Sequence, residues 1–317
     1  MYDIGSLIQK TLVQLRYPFG FLNIRVSKRH YNHAIEQRIF MFGPIHLNRV
    51  VTGHHKQRFS VIGKALLILH FALHRIIAAE RLQNTDKPDY ALALKEHDTY
   101  IEALKQCDVD VTVLEADERY PDSCFVEDPA LITSKCAIIT NPGAASRNGE
   151  KNEIIGAIRK FFDDDHIEYI QDPGTLEGGD VMMVGDHFYV GRSARTNEEG
   201  IRQLTEILAK YGLTCSEVTL EKVLHLKTGV NYLENNNMLV SGEFVTKPDF
   251  EMYHRVEIPE EEAYAANCIW VNDTVIVPEG YPAVLKAVQD MGYRTLTVDT
   301  SEFRKLDGGL SCLSLRF

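Results

Sequence analysis

With 317 residues, 44% of them hydrophobic and 25% charged, the chain is long enough for one large domain or two ordinary ones and can bury a core. Its formal net charge of −11 argues against nucleic acid as a partner of the whole molecule. Six scattered cysteines (Cys107, Cys124, Cys136, Cys215, Cys268, Cys312) form no C-x-x-C pair, which excludes zinc-ribbon and thioredoxin spacing and favours reduced thiols in a cytoplasmic protein.

The charge is unevenly placed. Residues 1–86 hold 12 Lys+Arg against 4 Asp+Glu, a net of +8, whereas residues 87–317 hold 22 against 41, a net of −19. Seven of the 12 histidines also fall in residues 1–86. This break predicts that the first 80 or so residues do not belong to the same structural unit as the rest. The start, MYDIGSLIQK, lacks the basic-then-apolar pattern of a signal peptide. The most apolar stretch, residues 61–77, carries Lys64, His70, His74 and Arg75 and is too short and too charged for a membrane span.

From Lys87 the pattern becomes regularly α/β. Residues 88–107 read as a helix with Leu92, Leu94, Tyr100, Ile101 and Leu104 on a broad apolar face, and residues 109–114 as a strand. A unit of two short strands, a helix and a closing strand then recurs. Its first copy has strands over 130–133 and 136–140, a helix over 151–162 and a strand over 167–170. The second has strands over 181–184 and 188–190, a helix over 197–211 and a strand over 214–219. A later copy has strands over 268–271 and 275–277, a helix over 282–291 and a strand over 294–298. Between the last two lies one clear strand, 237–240, with no legible helix. The Gly185-Asp186 and Asn272-Asp273 pairs suit hairpin turns. Three or four ββαβ units predict a closed, repeated architecture rather than a doubly wound sheet. No G-x-G-x-x-G follows a strand and there is no Walker A sequence, so nucleotide readings have little support.

Several segments carry chemistry. YPDSCFVEDPALI groups Asp122, Glu127 and Asp128 ahead of a strand, where carboxylates can face a cavity and bind a cation. LEGGD sets Glu177 before a glycine pair that lets the backbone bend tightly. HLKTG carries His225 between apolar neighbours. LDGGLSC sets Cys312 past a glycine turn, ahead of the strand-like LSLRF. Each has a plain structural alternative: a solvated loop, an ordinary turn, a core histidine, a buried thiol. Together they supply a thiol, an imidazole and a carboxylate, the parts of catalysis through an activated cysteine. Arg147 in NPGAASR and Arg195 in GRSARTN are natural forks for a substrate carboxylate, or else surface charges. Acids facing arginines would suit a zwitterionic amino acid with a cationic tail.

The segments YPDSCFVEDPALI, NPGAASR, TLEGGDV, GRSARTN, LHLKTGV, AANCIWVN and LDGGLSC, in this order, closely resemble the dimethylarginine dimethylaminohydrolase (dimethylargininase) family. These are guanidino-group-modifying enzymes of the pentein fold, a five-bladed ββαβ propeller. The resemblance spans residues 87–317 and, with residues 71–86 as a shortened counterpart of the family's opening, implies residues 71–317 as the catalytic domain and residues 1–70 as an atypical basic extension. It implies Cys312 as nucleophile, His225 as acid/base and Glu177 as the carboxylate orienting it. It also implies Asp122 and Asp128, with Glu127 beside them, as guanidinium-binding acids, Arg147 and Arg195 as holders of the amino-acid end, and Asp307 as a further substrate-site position. The implied reaction turns Nω-methylated arginine into citrulline through a covalent Cys312 thiouronium. It needs no cofactor and no metal, although a Cys312–His225 pair could take up zinc adventitiously. The expected partner is a small-molecule substrate, not nucleic acid or membrane, for a monomer or homodimer. The departure lies at the other end. The family's opening strand and lid loop fall where residues 71–86 are shortened, so the first blade is expected to be disturbed. The alternatives are another guanidino-modifying enzyme, such as an arginine or agmatine deiminase, or an inactive binding paralogue with an altered lid.

Overall fold

In a computed structural model of the chain, the described residues are 87–317 except 118, together with the backbone of three strands nearer the N-terminus. Contacts divide the chain into two compact units, Met1–Phe59 and Ser60–Phe317. In the first, β1 (Val13–Tyr17) and β2 (Gly20–Ile24) pair as an antiparallel hairpin. The expected boundary at residues 70 and 71 and the expected lid within 71–86 lie outside the described residues.

The second unit opens with β3 (Leu66–Leu69), α1 (Tyr90–Lys105) and β4 (Val111–Leu114), with β3 and β4 parallel. A parallel pair needs a crossover connection, and α1 lies between its two strands in sequence. Asp89 caps α1 by accepting the Leu92 N–H at 3.1 Å, so Pro88 lies just ahead of the cap rather than in the first turn. The buried face of α1 differs from the apolar stripe expected. Leu92 is exposed, while Glu96 and His97 are buried. Glu96 is drawn inward because its carboxylate accepts from Ser301 Oγ at 2.8 Å and the Glu302 N–H at 3.1 Å, capping α5 (Ser301–Arg304). Glu302 returns the favour by accepting the Asp89 N–H at 2.7 Å. Two helices distant in sequence thus cap each other, and α5 leads directly to the segment carrying Cys312.

Four three-stranded sheets follow among the described residues. The first holds β5 (Ala130–Ile132), β6 (Ala137–Ile139) and β7 (Ile167–Tyr169), with α2 (Glu150–Ile158) between the last two. The second holds β8 (Val181–Val184), β9 (His187–Arg192) and β10 (Thr214–Thr219), with α3 (Glu198–Lys210). The third holds β11 (Val230–Tyr232), β12 (Asn237–Val240) and β13 (His254–Glu257), where two 3-10 turns replace the helix. The fourth holds β14 (Ile269–Val271), β15 (Thr274–Pro278) and β16 (Arg294–Val298), with α4 (Pro282–Asp290). In each, the first two strands are an antiparallel hairpin and the third pairs parallel with the second. The predicted ββαβ unit therefore recurs. Asn272 and Asp273 both have positive φ (45° and 65°), the conformation a two-residue hairpin turn requires.

The sheets and helices bury separate apolar clusters. One joins α1 to β14–β16 and to Phe303, Leu306, Leu310 and Leu313, and Cys312 packs against its margin. The C-terminal segment is not the strand expected for LSLRF. Ser311–Leu313 forms a 3-10 turn, held by side chains and by the Glu127 N–H to the Cys312 carbonyl, and Leu315 alone sits in a β-bridge. No helix of the described residues is long and apolar enough to cross a membrane.

Candidate active site

The residues singled out in the sequence come from equivalent places in successive sheets. Asp128 lies just ahead of β5, Glu177 just ahead of β8 and His225 just ahead of β11. One ligand-capable atom from each lies within 4.8 Å of the others. His225 Nε2 donates to Glu177 Oε2 at 2.8 Å, and the Glu177 side chain is only 1% exposed. The second Glu177 oxygen accepts the Ala144 N–H at 3.2 Å and faces Arg195 Nη1 at 3.9 Å.

Burial opposes charge on His225. The Glu177 hydrogen bond, with the nearby carboxylates of Asp128 and Asp180, outweighs that penalty and holds the imidazole up at about 9. His225 is therefore an imidazolium at neutral pH. Asp180 also fixes the backbone beside it, because Asp180 Oδ1 accepts the Leu226 N–H at 3.0 Å. The other Asp180 oxygen accepts from Ser193 at 2.6 Å and Thr196 at 2.7 Å. Gly179 completes this corner. A Cβ there would come within 3.0 Å of both the His225 ring and Asp128 Oδ1, so only glycine lets these groups approach.

Asp128 is buried. It accepts the Gly179 N–H at 2.9 Å and pairs with Arg147 Nη1. Burial would raise its carboxyl, but the Arg147 guanidinium and the His225 imidazolium hold it below the ordinary carboxylate range. Arg147 is itself buried, and its remaining donors go to Glu150 at 2.7 and 3.0 Å and to the carbonyls of Phe125 at 2.9 Å and Asp122 at 3.3 Å. Burial lifts Glu150 to about 7 even with Arg147 beside it. Arg195 has a side chain 34% exposed and is the more accessible of the two arginines.

Cys312 is half-buried. Burial and the carboxylates of Glu127 and Asp128 push its thiol up to about 12, against smaller lowering effects from the Gly309 backbone and Lys227. At rest the pair is a thiol and an imidazolium. Neither glycine of LDGGLSC has a positive φ; Asp307 does, at 61°, on an exposed loop. The glycines serve close approach instead. A Cβ on Gly308 would lie 2.1 Å from the Phe125 ring, and one on Gly309 would lie 2.6 Å from Asn267.

Glu127 is also buried, but its carboxylate is engaged by Lys227 Nζ and by Ser311 Oγ at 2.8 Å. Its backbone N–H donates to the Cys312 carbonyl at 3.2 Å. Asp122 is half-buried at the start of the same segment. Glu177, His225 and Asp128 thus form one directly connected group with Arg147 and Arg195 at its edge. Glu127 and Cys312 join through the C-terminal segment, and Asp307 stands apart on the surface. Asp180, Glu150, Lys227, Asn267 and Ser311 belong to the same network and were not singled out in the sequence. Four lie inside motifs already quoted, and Glu150 stands three residues after Arg147, the spacing of an ion pair on one helical turn.

Asp128, Glu177 and His225 offer oxygen and nitrogen ligands that a divalent cation could use. Each carboxylate oxygen of Asp128 and Glu177 already accepts one hydrogen bond, from Arg147, the Gly179 N–H, the Ala144 N–H or His225, and keeps a further lone pair for another donor. The arrangement chiefly supplies a bound proton, a thiol and a buried anionic pair able to receive a planar cation.

The chain is similar to proteins of known name. The family described as N,N dimethylarginine dimethylhydrolase, eukaryotic, matches residues 78–249. The N(G),N(G)-dimethylarginine dimethylaminohydrolase of Pseudomonas aeruginosa is 62% identical over 231 residues, covering 73% of this chain and 91% of that protein. The protein of the same name from Streptomyces coelicolor is 33% identical, covering 73% of this chain and 88% of its own. A solved structure of the Pseudomonas aeruginosa enzyme, a Cys-to-Ser mutant complexed with citrulline, superposes with a TM-score of 0.77 at 55% identity, over 81% of this chain and all of that one. The N-terminal domain of the arginine dihydrolase ArgZ, at 18% identity, shares the fold with a TM-score of 0.70, over 80% of this chain and 97% of that one. On the family match and the 62% identity, the chain belongs to the dimethylarginine dimethylaminohydrolase family.

Proposed function

We propose that this protein hydrolyses Nω-methylated arginine, asymmetric dimethylarginine or monomethylarginine, to citrulline and dimethylamine or methylamine. The observation that carries this reading is the His225–Glu177 pair beside Asp128, in a chain 62% identical to a named enzyme of that activity. The substrate's guanidinium enters as a cation. Asp128 and Glu177, with Asp122 close by, take its N–H groups and fix its plane, which is mainly a gain in positioning. Glu127 holds the nucleophile's segment through Ser311, whereas Asp307, expected at the substrate, stands exposed on the loop before it and takes no part in these steps. Arg195 holds the substrate carboxylate. Arg147 joins it by yielding part of its bond to Asp128 as the substrate's cation takes over that carboxylate.

The resting thiol is too basic to ionise alone, with burial and two carboxylates opposing it. The bound guanidinium brings positive charge to the same place and favours the thiolate, whose proton passes to solvent, so ionisation is substrate-assisted. The Cys312 sulfur attacks the guanidinium carbon, forming the C–S bond. The His225 imidazolium gives its proton to the departing amine as the C–N bond breaks, leaving a thiouronium on Cys312. Neutral His225 then takes a proton from water, and the hydroxide attacks the same carbon. The C–S bond breaks, citrulline leaves and the thiol is restored. Glu177 keeps His225 oriented and favours its charged form throughout. His225 relays the proton from water to the departing amine, and the hydroxyl proton of the tetrahedral carbon returns to sulfur as the C–S bond breaks.

The four sheets and the β3–α1–β4 unit are, in this reading, the blades of a five-bladed pentein propeller, the first with two strands among the described residues. With β3 counted in the first blade, the catalytic domain begins ahead of the expected boundary at residues 70 and 71, and the residues before it form the extension. A compartment that keeps all six cysteines free, such as the cytoplasm, suits the chain.

The deciding experiment incubates purified protein with asymmetric dimethylarginine, measuring citrulline and dimethylamine, beside arginine and agmatine with ammonia as the readout. Equimolar citrulline and dimethylamine support the proposal. Ammonia from arginine or agmatine without dimethylamine would move the protein to the deiminases.

A further inference from the structure

Asn267 stands just ahead of β14, the position that Asp128, Glu177 and His225 hold in the three preceding sheets. Three of the four residues at this position thus already lie at the site. Asn267 is 7% exposed, and its amide is committed at both ends. Nδ2 donates to the Lys227 carbonyl and to Ser311 Oγ, each at 3.1 Å. Oδ1 accepts the Ser311 N–H at 2.8 Å. Lys227 is two residues after His225, and Ser311 is one residue before Cys312. One side chain therefore ties the backbone of the acid/base to that of the nucleophile.

The same two residues are bridged a second time. Glu127 receives Lys227 Nζ on one oxygen and Ser311 Oγ on the other. The two bridges come from different sheets and close on the same pair. Gly309 is the space left for the first of them. Elsewhere the Cys312 segment is fixed from its far side, by Tyr100 Oη to the Leu310 carbonyl at 3.0 Å and Tyr264 Oη to the Gly308 carbonyl at 2.8 Å. Neither of these reaches the His225 loop. Both the His225 loop and the Cys312 turn lack a ladder of their own at these residues, so side-chain ties set their separation.

We infer that Asn267 is a positioning residue: it fixes Cys312 relative to His225, and so governs the proton transfers of the thiouronium cycle without touching the substrate. The inference rests on the functional reading above. Catalysis through two groups held by separate segments is sensitive to small displacements, and a shift of about 1 Å can cost about 100-fold in rate. Substrate affinity depends on Asp128, Glu177 and the arginines and is left largely intact.

The test compares Asn267→Ala, Asn267→Asp and Ser311→Ala with the parent, normalising kcat to Cys312 titrated by iodoacetamide and located by mass spectrometry. Asn237→Ala serves as the control, because Asn237 bonds Tyr293 and His254 on β12 and makes no tie between the two segments. The expected result is a fall in kcat per titrated thiol of more than about fivefold in Asn267→Ala, with KM changed by less than about threefold and the control unaffected. Asn267→Asp and Ser311→Ala keep part of the bridge and decide the matter if Asn267→Ala fails to fold. A kcat per thiol within about fivefold of the parent in every folded variant overturns the inference, as does a fall matched by the control. The rate of Cys312 alkylation needs no turnover and should rise as the turn loosens. An unchanged alkylation rate in an inactive parent also overturns it, and the parent's own inactivity counts separately against the functional reading.

Discussion

His225 Nε2 and Glu177 Oε2 lie 2.8 Å apart, with the carboxylate almost wholly buried and the ring held up at about 9. A buried carboxylate whose hydrogen bond favours imidazolium makes His225 an acid in the resting protein, not a base. That order suits a reaction whose first demand is to protonate a departing amine. It also explains why Cys312 is a thiol at rest, since no neutral imidazole waits to take its proton.

Replacing Glu177 by Gln removes the charge that holds the His225 proton. The imidazole should then titrate well below 9, and turnover should fall by about 100-fold or more. NMR titration of His225 in the variant checks the first point and citrulline release the second. An unchanged His225 titration would contradict the assignment of Glu177 as its orienting carboxylate.

The pH dependence follows from the direction of the shift. His225 is raised in the folded protein, so its pairing contributes stability fully below the ordinary imidazole range and loses it as pH rises through about 9. Turnover should fall over the same rise, because the neutral ring cannot protonate the leaving amine. Alkylation of substrate-free Cys312 should instead keep climbing beyond pH 9, since burial and two carboxylates push the thiol to about 12. A plateau in alkylation near neutral pH would show a resting thiolate and contradict the substrate-assisted step.

Arg147 is buried between Asp128 and Glu150. Arg147→Met leaves two buried carboxylates facing each other without their cation. Breaking a buried pair in this way costs about 3–5 kcal/mol, and urea unfolding should show a loss of that size. A loss under about 1 kcal/mol, the range of exposed pairs, would mean that Arg147 is solvated in solution.

Gly179→Ala places a Cβ 3.0 Å from both the His225 ring and Asp128 Oδ1, with the His225 backbone pinned at Leu226 by Asp180. The ring must give way. The expected outcome is a clear loss of kcat with a stability change of about 1–3 kcal/mol, the range for overpacking. Thermal unfolding beside steady-state kinetics measures both.

Much of this was legible in the sequence because the repeating unit is local. The Asn272-Asp273 turn, the helix over 198–210 and the closing strand 294–298 follow from short-range chemistry, and they were found where expected. The third sheet was only partly legible. Its outer strands, VNY and HRVE, are short and polar, and 3-10 turns stand where a helix was sought. The C-terminal LSLRF reads as a strand by composition, yet Tyr100 bonds Ser314 within it, and Asn267 and Glu127 bond Ser311 just ahead of it, from 44 to 214 positions away in the chain. No local pattern reports such ties. The burial of Glu96 has the same cause, a cap on a helix that forms some 200 residues later. At the site, the acid, imidazole and thiol were visible as residue types at glycine turns. The commitment of Arg147 to Glu150, and of Glu127 to Ser311 and Lys227, was not, because partner choice among buried charges is a three-dimensional matter.

The central claim is a covalent bond between Cys312 and the substrate's guanidinium carbon. Its most direct test is a rapid acid quench of the protein turning over asymmetric dimethylarginine, followed by intact and peptide mass analysis. The account predicts an adduct on Cys312 equal to the substrate less dimethylamine, absent in Cys312→Ser, which makes no citrulline. Full turnover by Cys312→Ser, or an adduct on another residue, would contradict it.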